Sequence, residues 1–337
     1  MMSRSDRATG DGMKGERTMR RLASMCVAAG VMTACGGTTT MTGTDSGTGD
    51  TDGGTMLPEL PTVTTGTLAN PSEAPADYSC MASAPMGGDL LPFTFRLLDF
   101  ADDYEVRSAR VQFFPDNVIL DECTPPACQE LMTDAMGQGM VMAHAGGFYA
   151  YRVFARMGSG ASPAVVGSVQ VNEVAPMEMG GTIEGNSVSQ TTINLIPAVL
   201  SFRREPGTAV LAGQFFDCAG DEVRGIVIRV FDADGTEMPE GELNTDPHYR
   251  YFNGDSMPVD ISLQPYSNID GLYAGVQIPV PTDPTDLYRV EAWGRTEGDA
   301  APRRLGCEAT RAFGDTVSIT NVGPLRTDYP AGHPCAD

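Results

Sequence analysis

The chain has 337 residues, with 44 acidic side chains against 22 lysines and arginines, so its formal net charge is −22. A surface this acidic repels nucleic acid and anionic lipid headgroups, which excludes nucleic acid as a partner and a basic patch as a means of membrane attachment. The length is sufficient for a leader and two domains of ordinary size.

The first feature in chain order is a leader over residues 1–34. Arg20 and Arg21 precede an apolar run that begins at Leu22, which is the layout of a secretory signal and is too short to span a bilayer. The run ends in the sequence MTAC at Met32 to Cys35, which resembles the lipobox of bacterial lipoproteins. The resemblance implies that Cys35 is lipid-modified and becomes the first residue of the exported chain. An ordinary signal peptide with a chance cysteine is the alternative.

Residues 35–66 are rich in Gly, Thr and Asp and contain little that can build a core. Such a segment gains too little from burial to offset its ordering entropy, so it predicts a flexible linker between an anchor and a folded body. Gly36 and Gly37 follow the cysteine, without the Asp that favours inner-membrane retention in many bacteria. We therefore expect an exported protein that is lipid-anchored in the cell envelope, at the outer membrane.

The rest of the chain contains a diverged repeat, which predicts two similar domains over residues 67–204 and 205–337. The matched pairs are Asp99 with Asp217, Val106 with Val223, Phe114 with Phe231, Tyr151 with Tyr288, Gly167 with Gly306 and Ile193 with Ile319. Their offsets place extra residues near 232–272 in the second copy and near 171–187 in the first. Chance similarity between two β-rich sequences is the alternative.

Each copy has the pattern of short strands. In RSARVQFF and YAYRVFAR, inward and outward positions alternate, and clusters of Gly, Pro, Asn and Asp separate such runs. This pattern predicts an all-β fold of two tandem Greek-key β-sandwiches. The sequence DADG at Asp232 to Gly235 predicts a tight turn, with a calcium loop as the alternative. The segment from Thr124 to Met136 is compatible with a short helix and equally with a strand.

Two stretches carry a family resemblance. GQFFD from Gly213, followed by VRGIVIRVF from Val223, resembles the opening of carboxypeptidase regulatory-like domains, also called transthyretin-like domains. TDAMG from Thr133, followed by GFYAYRVFA from Gly147, resembles the later part of that family's pattern. The resemblance implies small Greek-key sandwiches that serve as accessory, adhesive or carbohydrate-binding-like modules, and it supplies no catalytic residues. Immunoglobulin-like and fibronectin-like sandwiches are the alternatives.

Six cysteines remain in the exported part after Cys35, which is the even number expected of a disulfide framework. Cys218 and Cys307 stand where the first copy has Phe100 and Ser168, and their joint absence there predicts that they pair with each other. Two further predictions follow by position: Cys123 with Cys128 across a short loop, and Cys80 with Cys335.

The sequence lacks the motifs of nucleophile elbows, metalloproteases, phosphate-binding loops and dinucleotide-binding folds. It also lacks a CxxC pair, and its three histidines lie outside ligand spacing of any cysteine pair, which argues against structural zinc. We therefore predict a protein that is not an enzyme and that needs no cofactor.

One strand nevertheless offers metal chemistry. Met140, Met142 and His144 alternate in GMVMAHA, so a strand presents all three on one face, and thioether plus imidazole is a ligand set for copper. An envelope hydrolase or copper-handling protein with a site at these residues is the alternative function. The other interpretation is that these methionines fill a core, together with Met132, Met136, Met177 and Met179.

The single tryptophan, Trp293, lies in YRVEAWG on the same strand face as Arg289 and Glu291. A surface indole of this kind can serve as a ligand platform for a glycan, or it can simply cover a strand edge. The sequence therefore favours a non-catalytic cell-envelope lipoprotein with structural, adhesive or carbohydrate-contact roles. Its expected partners are the membrane, through the lipid on Cys35, and a glycan or an envelope protein.

Overall fold

The computed structural model describes residues 59–336, apart from 68–69, 81–82, 101–102, 159–163, 200–203 and 284. The leader, Cys35 and the linker up to residue 58 lie outside the described residues, so what the sequence indicates about them stays a prediction. No helix in the described part of the chain is both long and apolar enough to cross a bilayer.

The described residues form eighteen strands and one helix. The first nine strands are β1 (Thr64–Thr67), β2 (Asn70–Pro75), β3 (Leu90–Asp99), β4 (Arg110–Phe114), β5 (Gln129–Met132), β6 (Gln138–His144), β7 (Phe148–Val153), β8 (Gly167–Val174) and β9 (Thr182–Ser187). The helix α1 (Gln190–Val199) follows them. The remaining strands are β10 (Ala209–Gln214), β11 (Val223–Arg224), β12 (Val227–Phe231), β13 (His248–Phe252), β14 (Pro258–Val259), β15 (Leu272–Ile278), β16 (Tyr288–Gly294), β17 (Arg303–Thr310) and β18 (Thr316–Thr320).

The strands form one long sheet and three short ones. The long sheet has the order β14-β13-β15-β10-β18-β8-β7-β4-β5, and the short sheets are β6-β3-β9, β12-β16-β17 and β11-β1-β2. The prediction of an all-β fold is confirmed. Because β18 pairs in parallel with β8, the long sheet passes without a break from residues of the second copy to residues of the first.

The strand order repeats between the two copies, which we call the first half and the second half. In the first half β3 pairs antiparallel with β6 and parallel with β9, and in the second half β10 pairs antiparallel with β15 and parallel with β18. The antiparallel series β4-β7-β8 recurs as β12-β16-β17. The two halves therefore share a topology, as the sequence comparison predicts.

Each half has its own apolar core between facing sheets. In the first half, Phe95 of β3 contacts Tyr151 of β7 edge to face, with ring centroids 5.2 Å apart. In the second half, Phe215 and Tyr273 stack at 4.8 Å in a core that also includes Val290. All five side chains are inaccessible to solvent, as expected for inward positions of alternating strands.

A tight glycine turn before β6 anchors the first half. Gly137 has a φ of +70°, and its carbonyl accepts a hydrogen bond of 2.8 Å from the Leu97 amide. A Cβ added at Gly137 would lie 3.1 Å from the Leu97 carbonyl oxygen and 3.2 Å from the Val106 nitrogen. Both the left-handed backbone and the close approach of a neighbouring chain therefore require glycine.

The same turn occurs before β15 of the second half. Gly271 has a φ of +62°, and its carbonyl accepts a hydrogen bond of 3.1 Å from the Phe215 amide. A Cβ there would lie 2.8 Å from the Phe215 carbonyl oxygen and 3.2 Å from the Val223 nitrogen. Val223 is the residue that the sequence comparison matches with Val106, so the repeat extends to individual backbone contacts.

One matched pair of the sequence comparison, and the insertion inferred from it, are corrected. Ile193 does not match Ile319, because Ile193 lies in α1 whereas Ile319 lies in β18. The counterpart of β18 is β9, so the insertion inferred near 171–187 is wrong as well.

The segment from Thr124 to Met136 contains strand β5 and no helix. The tight turn at Asp232 to Gly235 is present, with the Gly235 amide donating to the Asp232 carbonyl at 3.0 Å.

The N-terminal part of the described chain belongs to the second half. Strand β1 pairs with β11, and Val63 is fully buried in the second core together with Ala76 and Tyr78. The predicted linker boundary at residue 66 is therefore too late, since Leu60 and Val63 are buried. The assignment of residues 67–78 to the first sandwich is wrong for the same reason. The first half is thus inserted between two pieces of the second.

The disulfide pairing differs from the prediction in two of three bonds. The described residues contain the bonds Cys80–Cys218, Cys123–Cys128 and Cys307–Cys335. The predicted pairs Cys218–Cys307 and Cys80–Cys335 are wrong. Cys218 lies beside the N-terminal segment, where its amide donates to the Asp77 carbonyl at 2.9 Å, and Cys307 lies under the C-terminal segment. The Cys80–Cys218 and Cys307–Cys335 bonds therefore each fasten one end of the described chain to the body.

Candidate functional site

The strand with the predicted copper ligands presents them outward, as the alternation requires. Met140 is 64% exposed, and Met142 and His144 are half-buried, whereas Val141 and Ala143 between them are buried. The alternative that these methionines fill a core is wrong. Met132, Met136, Met177 and Met179 are likewise exposed.

His144 already uses both ring nitrogens. Its Nδ1 lies 3.0 Å from the Gly88 carbonyl oxygen, and its Nε2 lies 3.3 Å from Asp116 Oδ1. Both partners are oxygen acceptors, so each contact engages one of the two ring nitrogens. A metal ligand needs a free lone pair on one of them, so copper binding here would require His144 to abandon at least one contact.

The other histidine on a strand, His248, is bound in the same way. Its Nδ1 lies 3.0 Å from Glu240 Oε1, and its Nε2 lies 3.0 Å from the Leu243 carbonyl oxygen. Glu240 also accepts a hydrogen bond of 2.8 Å from Arg250. His248 therefore ties the loop before β13 to that strand. Among the described residues, no group of three or more His, Cys, Asp or Glu side chains is placed to hold a metal ion.

Trp293 lies on the outer face of β16, as its position in the sequence predicts, but it is half-buried in a charged cluster. Its Nε1 donates to Glu291 Oε2 at 2.7 Å, and the Arg229 guanidinium lies 4.7 Å from the ring centroid. Glu291 is only 3% exposed and forms ion pairs of 3.1 Å with Arg289 and Arg304. One face of the indole is therefore covered, which leaves only the opposite face for a ligand.

A shallow groove lies beside β11, with a cavity volume of about 180 Å³. Its lining residues are Arg224, Leu263, Gln264, Pro265, Tyr266, Ser267 and Asn268. The volume is below the ~300–1,000 Å³ typical of pockets for drug-sized ligands, so the groove suits a single ring or side chain. The lining combines an aromatic ring, a planar cation, amide groups and an aliphatic side chain.

The groove is held open by hydrogen bonds to its floor. Ser267 is fully buried, its hydroxyl donates to the Val223 carbonyl at 2.8 Å, and its amide donates to the Ile226 carbonyl at 2.8 Å. Arg224 pairs with Glu73 of β2, which places the guanidinium at the rim. The groove has no signature in the sequence, because Tyr266 and Arg224 lie in irregular or very short elements without a repeating pattern of apolar residues.

A buried polar cluster crosses the boundary between the halves. Asn172 of β8 donates from Nδ2 to Glu308 Oε2 of β17 at 2.7 Å, and Asn321 donates to Glu173 Oε1 at 3.2 Å. Burial raises the pKa of Glu308 to about 8 and also raises the pKa of Glu173. Each carboxyl accepts a hydrogen bond from an asparagine side chain of the other half. This arrangement is typical of a contact that stabilises the structure.

Comparisons with known proteins leave the family open. No family model matches the chain, and no curated protein matches it. Among solved structures, the chain is similar to the TIE protein of Bacillus anthracis, with 10% identity and a TM-score of 0.21, over 70% of this chain and 34% of that protein. It is similar to the shaft pilin spaA of Lactobacillus rhamnosus GG, with 9% identity and a TM-score of 0.19, over 72% of this chain and all of the pilin.

A third similarity is to an intradiol ring-cleavage dioxygenase of Tetranychus urticae, with 14% identity and a TM-score of 0.17, over 28% of this chain and 62% of the enzyme. TM-scores near 0.2 do not establish a shared fold. The all-β fold is therefore established by the strands and sheets of this chain itself.

Proposed function

We propose that the protein is a non-catalytic lipoprotein of the bacterial cell envelope, anchored through a lipid on Cys35, with structural and adhesive roles. The observation that carries this proposal is the way the chain enters the body. Residues 59–80, which follow the linker, are fixed to the second half by the pairing of β1 with β11 and by the Cys80–Cys218 bond. A load on the anchor would thus pass into a sheet and a disulfide.

The nine-stranded sheet supports the same role. Strand β18 joins β8 over five residue pairs, from Thr316 with Gly167 to Thr320 with Val171. Continuous backbone hydrogen bonding across the boundary resists bending between the halves, as a spacer or display module requires. The amides and carboxyls around Glu308 add side-chain contacts at the same boundary.

Within this role we assign glycan contact to the groove beside β11. Tyr266 offers an aromatic face to a sugar ring, and Arg224 and Asn268 offer donors for its hydroxyl groups. The remaining face of Trp293 is the second candidate platform. An envelope protein is the alternative partner for both surfaces.

Lipid attachment is tested by metabolic labelling with an alkyne fatty acid in a bacterial host that exports the chain. Wild type is expected to carry the label and to fractionate with the outer membrane, and Cys35→Ser is expected to lose both properties. Cys26→Ser, which changes a cysteine inside the leader, is the matched control and should keep the label. A labelled Cys35→Ser protein would contradict the anchor assignment.

Glycan contact is tested on a glycan array with the purified exported chain. Tyr266→Ala is expected to lose the signal, and Trp293→Ala to keep it unless the indole is the platform instead. Tyr104→Ala serves as the control, because Tyr104 is an exposed aromatic residue outside the groove, with 59% of its surface accessible. A blank array for wild type would overturn glycan contact and favour a purely structural role.

A further inference from the structure

The methionines of this protein are distributed unusually. None of the ten methionines in the described part of the chain is buried: seven are exposed, and Met142, Met238 and Met257 are half-buried. Methionine is ordinarily among the residues most often found fully buried. Here the cores are built instead from Val, Ile, Leu, Phe and Tyr. Met238 packs against the second core, but packing does not explain why methionine occupies the seven exposed positions.

Four of the methionines form what we call the methionine face: Met140, Met142, Met177 and Met179. The first two lie on the outer side of β6. The turn that carries the other two lies against the end of that strand, because the Gly146 amide, just after β6, donates to the carbonyls of Ala175 and Pro176 at 3.1 and 3.2 Å. The Met177 sulfur lies directly over Gly146, just beyond the end of β6.

Three of the four side chains of this face are exposed to solvent. Met177 is 76% exposed, Met179 69% and Met140 64%. Replacement of a thioether by a sulfoxide, which is polar, costs little at such positions, whereas the same change inside a core disrupts packing. The face can therefore take up oxygen without loss of the fold.

No thiol in the described part of the chain competes for an oxidant. All six described cysteines are in disulfides, so the most reactive sulfur nucleophiles are absent as free groups. The thioethers are then the most readily oxidised side chains available. An exported protein also meets peroxides outside the reducing cytosol.

We propose that the methionine face is a sacrificial oxidation site for peroxides. The thioether sulfur attacks one oxygen of hydrogen peroxide, the O–O bond breaks, and a sulfur–oxygen bond forms. The sulfur loses two electrons to the peroxide, and the proton on the transferred oxygen moves to the departing hydroxide to give water. Each methionine thus removes one peroxide and becomes methionine sulfoxide.

The test is a time course of oxidation by hydrogen peroxide on the purified exported chain, followed by peptide mass mapping. Met140, Met177 and Met179 are expected to gain oxygen roughly tenfold faster than the half-buried Met238 and Met257, which serve as internal controls. The oxidised protein is expected to keep the unfolding midpoint of the untreated protein. Equal rates at all five positions would overturn the proposal, and so would unfolding that accompanies oxidation.

A variant with leucine at all four positions of the methionine face provides the second measurement. Leucine keeps the apolar volume and cannot be oxidised, so the variant is expected to consume at least three fewer peroxide molecules per chain, one for each exposed methionine removed. Unchanged peroxide consumption would contradict the assignment of the face. Should the variant fold poorly, the relative rates measured on wild type still decide the question.

Discussion

Asn172 of β8 donates a hydrogen bond of 2.7 Å to the carboxyl of Glu308 on β17, so a buried acid of the second half is bound by an amide of the first. Burial is the main cause that raises the pKa of Glu308 to about 8, while Arg326 lowers it and Asp328 raises it to smaller extents. At neutral pH the folded protein therefore holds a proton at the boundary of the halves.

This proton makes stability depend on pH. The unfolded state releases it near the ordinary value of 4.5, and the folded state keeps it up to about pH 8, so the unfolding free energy falls as pH rises across that range. The total loss attributable to Glu308 is roughly 5 kcal/mol at most. Urea unfolding of wild type and Glu308→Gln at several pH values checks this. The variant, which keeps an acceptor for Asn172, should show a flatter profile, and parallel profiles would contradict the assignment.

The disulfides should rank by the length of chain that they close. Loss of Cys80–Cys218, which closes 138 residues, is expected to cost about 5 kcal/mol, and loss of Cys123–Cys128, with a separation of five residues, about 2 kcal/mol. Paired Cys→Ser variants measured by denaturant unfolding give the comparison. A larger loss from the short bond would show that the long one does not constrain the unfolded chain.

Gly271→Ala should destabilise the second half by more than its backbone strain alone. Gly235 provides the control, since its φ is +78° and a Cβ there meets nothing within 4 Å. Gly235→Ala is expected to cost about 1 kcal/mol, and Gly271→Ala about 2 kcal/mol more, because its Cβ meets the Phe215 carbonyl at 2.8 Å. Thermal unfolding measures both. Equal costs would mean that the turn relaxes away from Phe215.

Glu291→Gln should disrupt the charged cluster around the single tryptophan. The change leaves Arg289 and Arg304 without a full countercharge in a place where the carboxylate is 3% exposed, so a loss of about 3 kcal/mol is expected. The fluorescence emission of Trp293 should shift to longer wavelength, because the hydrogen bond from its Nε1 to the side chain of residue 291 weakens. Glu237→Gln, which affects a more accessible pair with Arg229, should have the smaller effect. An unchanged emission spectrum would show that the charged cluster does not affect the environment of the indole.

The repeat could be detected in the sequence because its matched residues occupy the same structural position in both copies. In the first half Val106 follows β3 and lies beside the turn glycine Gly137. In the second half Val223 follows β10 and lies beside the equivalent glycine, Gly271. Local alternation likewise predicts that Met140 and Met142 share one face, since side chains of a strand alternate between faces.

The sequence could not reveal features that depend on distant partners. Strand β1 has the sequence Thr-Thr-Gly-Thr, which carries no apolar period, and it becomes a strand through pairing with β11. The cysteine pairing failed for a related reason: comparison of the copies ignores the terminal segments, and those segments hold the partners of Cys218 and Cys307. Alternation also does not tell whether the face of Met140 is buried or exposed, because that depends on which elements pack against the sheet.

The insertion of the first half between two pieces of the second has a consequence for synthesis. Strand β1 meets its partner only after residues 223–224 have left the ribosome, and Cys80 waits for Cys218. All the strands of the first half emerge within that interval. During synthesis the inserted unit therefore has its strands complete before β1 and Cys80 of the enclosing unit can be fastened.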